Sequence, residues 1–396
     1  MSGPIEPIRT SQVSGAQRRR LAELLEVVRK GNAFYAAKLA AAGCEDFDAL
    51  RDPLERLPLT TRAELEQDQQ AHPPYGSNLS YPPDHYTRVH QTSGSGGRPL
   101  RWLDTPESWA WWKQCWAAVY AAAGVRRGDR LLFAFSFGPF VGFWSAFESA
   151  VDLGHACLPA GGMSSAGRLR YLLDHAASVV CCTPTYALHL ADVARQEGLD
   201  LVSSPVRLLI VAGEPGGNVP AIRGRIEAEW GARVCDHAGM TEMGAWGYEP
   251  HDHRGGLHVN EAEFIAESLD PQTQRPTAEG AVGELVLTNL GRLGSPLIRY
   301  RTGDLVRLTR CVDPDGASAA RCEAGVLGRT DDMFFVRGNN VFPATVEAIL
   351  REIPGVAEFR FHLRQRGSLT DLRIELEPAV GAAADLPERV ATAVRE

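Results

Sequence analysis

The chain has 396 residues, 44% of them hydrophobic and 23% charged, with a formal net charge of -8. That composition belongs to a globular protein large enough for two or more domains and a sizeable core. The negative balance leaves no broad basic face for gripping a polyanion, which argues against a nucleic-acid partner.

Eight cysteines scattered over such a length make no disulfide framework and point to reduced thiols in the cytoplasm, some of them available to a metal. The N-terminal residues have no apolar signal-peptide core. The longest uncharged run, Leu131 to Phe147, is broken by Gly138-Pro139, so no membrane span is expected.

In chain order, residues 17–42 show helical spacing, with Leu21, Leu24, Leu25 and Val28 followed by Phe34, Tyr35 and Leu39. The Thr60-Thr61-Arg62-Ala63-Glu64 string starts a further helix, and these helices are expected on the outside of a large domain. Pro73, Pro74, Pro82 and Pro83 then mark irregular chain. In the string Gln91 to Leu100, Gly94, Gly96 and Gly97 are interleaved with Thr92, Ser93 and Ser95. Backbone N–H groups of such a loop can close on phosphate oxygens, the hydroxyls adding donors. A solvated glycine-serine turn would have the same composition. It is not a Walker A loop, because no Gly-Lys-Ser/Thr follows.

Thr105-Pro106-Glu107 opens a helix that Gly124 ends, and Trp109, Trp111, Trp112 and Trp116 on it read as packing residues. A strand from Leu131 to Phe135, a Gly-Pro turn and a helix from Val141 to Leu153 follow. Phe135, Phe137, Phe140 and Phe143 cluster where strand gives way to helix, a usual place for a ligand crevice, although core packing is the more usual job for any one of them. Strands at Ser178–Cys182, Val206–Val211 and Arg233–Asp236 then alternate with helices opened by Thr183-Pro184 and near Val219–Trp230. This alternation predicts a mostly parallel sheet covered on both faces, with sites at strand ends.

Two strand ends carry chemistry. The small residues of Ala212, Gly213, Glu214, Pro215, Gly216 and Gly217 let a flat ring approach the backbone. In Asp236-His237-Ala238-Gly239-Met240-Thr241-Glu242, a glycine-permitted turn brings together a hydroxyl for phosphate and a carboxylate suited to Mg²⁺. His251, His253 and His258 are crowded together and are followed by Cys311 and Cys322, so either metal ligands or solvated loop residues fit. Asp304, after Thr302-Gly303, can accept hydrogen bonds from vicinal ribose hydroxyls or cap a turn. From Leu327 to Glu347 the chain reads as a hinge: a turn through Arg329 and Asp331, an apolar strand from Met333 to Val336, a loop at Gly338-Asn339-Asn340, and a helix beyond Pro343.

These strings, from about residue 88 to residue 378, resemble the adenylate-forming superfamily and most closely the phenylacetate-CoA ligase family. The resemblance implies an α/β fold: a large multi-layer N-terminal domain (1–328) with mostly parallel sheets flanked by helices, and a small α+β C-terminal domain (329–396) after a hinge, lacking its last part. It implies ATP-dependent activation of a small aromatic acid to an acyl-adenylate, then transfer to coenzyme A. Transfer to an amine or carrier-protein thiol, or a degenerate nucleotide-binding protein, are the alternatives. Benzoates, hydroxy- or aminobenzoates and arylacetates all stay open as the acid, and a homodimer is among the open oligomeric states.

By the same resemblance, Thr92, Ser93, Gly94, Ser95, Gly96 and Gly97 form the phosphate loop, with Arg98 where lysine is usual. Gly213, Glu214, Pro215, Asp236 and His237 hold the nucleotide base and Asp304 the ribose. Thr241, Glu242 and Arg329 are catalytic, and Glu242 binds Mg²⁺. Asp331 is the hinge and Gly338 lies by the pantetheine arm. Phe135, Phe137, Phe140, Ala238 and Gly239 surround the acid, Ala238 standing where the family commonly has tyrosine, which is expected to enlarge or reshape the pocket. Several relatives hold a structural zinc, which maps onto His251, His258, Cys311 and Cys322, with His253 able to replace His251 and Asp313 where the family's Cys-x-Cys would continue. The family's C-terminal lysine has no counterpart here, since no lysine follows Lys113: either the sequence stops short of it or the enzyme manages without it, and if the loss is real adenylation is expected to be slow while thiolation from a supplied adenylate survives.

Overall fold

The structure is a computed structural model that describes residues 13–92, 98–252, 255–312, 318–330, 334–336, 339–341, 343–366, 369–378 and 381–394. Ser14 and Gln17 form a reciprocal capping box that starts α1 (Gly15–Gly31). The stretch read as helical over 17–42 is two helices, because Asn32 leaves helical geometry and its side chain accepts from the Tyr35 N–H to start α2 (Ala33–Ala41). A second capping box, Thr61 with Glu64, opens α3 (Arg62–Ala71). Leu21, Leu24, Leu25 and Val28 of α1 pack with Leu54 and Leu57 against Ile265 and Ile298, a peripheral core.

The antiparallel pair β1 (Arg88–Gln91) and β2 (Arg101–Asp104) leads into α4 (Pro106–Ala123), which begins at its Thr105 cap and stops at Gly124, left-handed at φ 76°. Strand and helix then alternate through β3 (Arg130–Phe133), α5 (Val141–Asp152), β4 (Ala156–Pro159), α6 (Ser165–Asp174), β5 (Val179–Cys182), α7 (Pro184–Gln196), β6 (Leu208–Val211), α8 (Pro220–Trp230) and β7 (Arg233–Met240). The order β4-β3-β5-β6-β7 is parallel throughout, as the alternation predicts.

Beyond β7 the same sheet turns antiparallel. Strands β8 (Gly244–Tyr248), β9 (Gly256–Val259), β10 (Phe264–Leu269), β11 (Val282–Asn289), β12 (Tyr300–Val312) and β13 (Ser318–Arg329) continue it in the order β7-β8-β9-β13-β12-β11-β10, giving eleven strands. One face carries α4 and α5 over Phe133, Cys181, Ile210 and Cys235; the other carries α6 to α8 over Leu132, Val180, Leu209 and Val234. Successive side chains of each strand serve opposite cores, which is why the parallel strands read as unbroken apolar runs.

After β13 come β14 (Phe334–Val336) paired with β15 (Asn339–Val341), α9 (Pro343–Glu352), the hairpin β16 (Val356–Arg366) and β17 (Leu369–Pro378), and α10 (Leu386–Ala393). Val346, Leu350, Leu386 and Val390 close a small core of their own. No helix among the described residues is long and apolar enough to cross a membrane.

Candidate active site

Strand β6 ends at Val211, opposite Asp236, while β7 runs on and pairs from His237 only with β8. Divergence of two neighbouring strand ends opens a crevice. Here it is a cavity of about 310 Å³, bounded by Gly213 to Gly216 and Asn218, by Asp236 to Met240, by Trp246 and Leu257, and by Asp304, Val326, Arg329 and Pro343.

The alternation along β7 divides the cavity chemically. Asp236 faces Asn218, whose amide donates to its carboxylate. The Asn218 carbonyl in turn accepts from the Gly256 N–H at 2.7 Å. Arg223 and Glu249 pair bidentately at 2.8 and 2.6 Å. Arg223 Nε also donates to the Gly217 carbonyl at 2.5 Å, and Glu249 accepts from the Asp236 N–H at 3.0 Å, so one buried pair fixes both walls. A side chain at Gly217 would overlap the Asp236 carboxylate. Burial pushes the Asp236 carboxyl up to about 7, with the Asn218 donor pulling against it.

Cys235 and His237 face α4 instead. The His237 ring lies 4.3 Å from that of Trp116, and Nδ1 sits 2.7 Å from the Gly247 carbonyl. A carbonyl only accepts, so the proton is on Nδ1. Burial pushes this imidazole down to about 4 against that hydrogen bond, leaving it neutral.

Thr241 and Glu242 occupy the turn between β7 and β8, and Arg292 holds that turn from beneath. Its Nη1 donates to the Thr241 and Glu242 carbonyls at 2.8 and 2.9 Å. Its Nε and Nη2 pair with Asp104, both at 2.7 Å, and neither side chain has any exposed surface. The Trp102 and Trp112 rings each lie 5.3 Å from the guanidinium. The Tyr300 hydroxyl donates to Glu242 Oε1 at 3.3 Å. Sequence reading missed Arg292 and Asp104. The only cue was one charge in the otherwise apolar or small stretch Leu290 to Ile298.

Among the other expected site residues, Thr92 is buried and its hydroxyl accepts from the Leu100 N–H at 3.0 Å, closing the base of its loop. Ser93 to Gly97, Asp331 and Gly338 lie outside the described residues. Glu214 accepts from the Thr185 N–H and hydroxyl at 2.7 and 2.6 Å. Arg329 Nη1 donates to Asp304 Oδ1 at 2.9 Å. Ala238 and Gly239 line the cavity. Phe135 and Phe137 instead stack edge to face at 5.7 Å beside Trp144, and Phe140 is 46% exposed.

The four residues drawn into a zinc site do not meet. The register sets Cys322 opposite Leu308 and Cys311 opposite Ala319. Residues 308 and 311 are an odd step apart on one strand, so the two thiols point to opposite faces. Cys322 is enclosed in the apolar core, where burial pushes its thiol up. His258 shares a face with Cys311, Nε2 to Sγ being 3.8 Å, but His251 sits at the end of α4, its N–H bonded to the Ala122 carbonyl. No cluster of three metal-ligating side chains occurs among the described residues, and His253 lies outside them.

No protein-family model matches the chain. It is 32% identical over 378 residues to the phenylacetate-coenzyme A ligase of Thermus thermophilus, covering 94% of this chain and 83% of that one. It is 30% identical over 380 residues to the enzyme of that name from Escherichia coli K12, covering 84% of it. Among solved structures, a 2-hydroxyisobutyryl-CoA ligase in its postadenylation state with an acyl-AMP aligns with a TM-score of 0.90 at 29% identity, over 98% of this chain and 86% of that one. The same ligase in its thioesterification state aligns at 0.77, with 30% identity over 99% of this chain and 86% of that one.

Proposed function

Because the chain belongs to the phenylacetate-CoA ligase family of AMP-forming acid-thiol ligases, we propose that it joins an aromatic carboxylic acid to coenzyme A through an acyl-adenylate. In the first step an acid oxygen attacks the α-phosphorus of ATP, the bond to pyrophosphate breaks, and pyrophosphate leaves. In the second, the deprotonated sulfur of coenzyme A attacks the acyl carbon, the bond to the AMP oxygen breaks, and thioester and AMP leave.

The observation that carries this reading is the single cavity joining the 213–216 turn, Asp236, and the Asp304–Arg329 pair, and reaching Met240 beside Thr241. Gly213 to Pro215 flank the adenine, and Asp236 takes its amino group. Asp304 receives the ribose hydroxyls once Arg329 swings from it to a phosphate. Thr92 and the loop from Ser93 to Gly97 hold the triphosphate, and the Thr241 hydroxyl meets the α-phosphate. Such fixed donors act on charge that develops in the transition state. Thr241 and Glu242 offer hard oxygen donors on a rigid turn, a set that fits Mg²⁺. Bound there, Mg²⁺ would draw charge from the phosphate oxygens.

We place the domain boundary after Gly328. The last strand of the large sheet ends at Arg329, and the elements beyond close a separate core. Rotation about Asp331 would exchange an adenylation face for a thiolation face and bring Gly338 beside the pantetheine arm. A cytoplasmic setting is supported by the cysteines, none of which forms a disulfide among the described residues.

The test is acid-dependent pyrophosphate release from Mg-ATP over a panel of benzoates, hydroxy- and aminobenzoates and arylacetates, with and without coenzyme A. Release that Glu242→Ala lacks, with AMP and thioester appearing only when coenzyme A is added, is the expected result. Nucleotide binding with no release for any acid would overturn the ligase reading.

A further inference from the structure

The resemblance assigns His237 to the nucleotide base together with Asp236, but its ring packs on Trp116 and bonds the Gly247 carbonyl, on the other side of β7 from the Asp236 carboxylate. His237 stands on the α4 side of β7, apart from Asp236 and the nucleotide turn, and Met240, Trp246, Leu257 and Val326 are apolar members of the same cavity lining. Its Nδ1–H is committed to the Gly247 carbonyl. Nε2 therefore keeps its lone pair, and no donor among the described residues reaches it. A side chain on Gly239 would begin 3.3 Å from Nε2, 3.0 Å from the Gly244 carbonyl and 3.3 Å from the Ala245 Cα, so only glycine at this position leaves the acceptor uncovered.

Resting on the ligase reading, we propose that His237 selects the acid: Nε2 accepts a hydrogen bond from a hydroxyl or amino group on the substrate ring, making the substrate class hydroxy- or amino-substituted aromatic acids. The Asp236 side of β7 is taken by the nucleotide turn, which leaves the His237–Gly239 side for the acid. A ring without a donor, pressed against Nε2, would strip the nitrogen of water and return nothing. A methoxy group would set lone pair against lone pair. Sites built around one hydrogen bond to substrate discriminate strongly against the analogue that lacks it, here by roughly 10- to 100-fold.

The experiment compares kcat/KM, by pyrophosphate release, for ring-hydroxylated and ring-aminated benzoates and phenylacetates against their unsubstituted and methoxy counterparts. His237→Asn keeps an amide donor near the Nδ1 position for Gly247 but puts nothing at the Nε2 position. His237→Gln returns an acceptor there. Wild type is expected to favour at least one donor-bearing acid at least tenfold, His237→Asn to lose that preference, its kcat/KM falling more for the donor-bearing acid than for the unsubstituted one while its unfolding midpoint stays near wild type, and His237→Gln to regain part of it.

Wild-type preference for unsubstituted or methoxy acids overturns the assignment while leaving the ligase reading intact. So does a His237→Asn variant that lowers kcat/KM equally for every acid. Absence of pyrophosphate release with any acid overturns the ligase reading, and the assignment falls with it.

Discussion

The buried Asp104–Arg292 pair does two things that can be separated. Replacing Asp104 by Leu leaves the Arg292 charge fully enclosed with Nε and Nη2 unpaired, a change that typically costs about 3–5 kcal/mol. A domain of ordinary stability, roughly 5–15 kcal/mol, would remain foldable after that loss. Arg292→Met instead strips the donors from the Thr241 and Glu242 carbonyls, each worth about 1–3 kcal/mol if left buried and unmet. The double variant Asp104→Leu/Arg292→Met removes both charges, and such apolar replacements are often neutral within about 1–2 kcal/mol. Its urea midpoint is therefore expected to recover the part of the loss that came from the unpaired Arg292 charge, while the cost of the two unmet carbonyls remains. Pyrophosphate release is not expected to recover: with the turn unanchored, it should stay at least about tenfold below wild type and need more Mg²⁺ for half-maximal rate. A double variant that regains full rate at wild-type Mg²⁺ would show that Arg292 serves stability alone. An Asp104→Leu cost below about 1 kcal/mol would show that the pair is not buried as described.

Three further expectations concern the nucleotide side and pH. Asp304→Ala should raise the KM for ATP roughly tenfold and erase discrimination between ATP and 2′-deoxy-ATP; discrimination that survives the substitution places the ribose elsewhere. Gly217→Ala should drive a methyl group into the Asp236 carboxylate and weaken AMP binding, read by calorimetry, about tenfold or more; unchanged affinity would remove Asp236 from the base site. Between pH 4 and 7 two opposed effects are expected in urea midpoints. His90 and His237 are both pushed down by burial to about 4 from 6.5, so the unfolded state protonates first and stability is lost as pH falls from 6.5 toward 4. Asp236, raised by burial to about 7 from 3.8, contributes stability that is lost as pH rises through 7. Differences between wild type and His237→Asn or Asp236→Asn isolate the two, and a difference of the wrong sign refutes the corresponding burial argument.

The sequence was readable wherever one local rule decides the structure. The caps at Thr61, Thr105 and Thr183 and the stop at Gly124 fall where their residue types predict. The break at Asn32 had a signal, Gly31 followed by a good cap residue, that the longer apolar periodicity masked. The antiparallel half of the sheet was not legible for a different reason. Strand β9 is buried along its whole length and β11 at all but its first residue, so neither shows a period-two alternation. Arg292 was invisible because its partner is far away in sequence, and glycines at 291 and 294 make its surroundings look like an exposed turn. The zinc residues failed for the converse reason: spacing along the chain says nothing about which face of a strand pair a thiol takes, and a step of three on β12 decides it.

What turns these motifs into one site is the change of sheet type within β7. Its first half, Arg233 to Asp236, is bound in parallel to β6, and its second half, His237 to Met240, is bound antiparallel to β8. A strand that continued in parallel company would have its next residues covered by the helix of a crossover connection. Here β6 stops at Val211, and the chain turns away through Gly213 to Gly217, leaving His237 to Met240 without a strand partner on that edge. The strand therefore offers alternate side chains to two chemistries: Asp236 to the nucleotide turn, His237 and Gly239 to the α4 side. The bulge between Ala238 and Gly239 lets β8 return at Gly244 and sets Thr241 and Glu242 at the tip between them. A substitution that regularised this bulge would slip β8 by one residue against Gly239 and Met240 and so displace the Thr241–Glu242 tip, while Asp236 and His237 keep the faces that pairing with β6 sets. The order Asp-His-Ala-Gly-Met-Thr-Glu thus carries positional information that no single residue in it reveals.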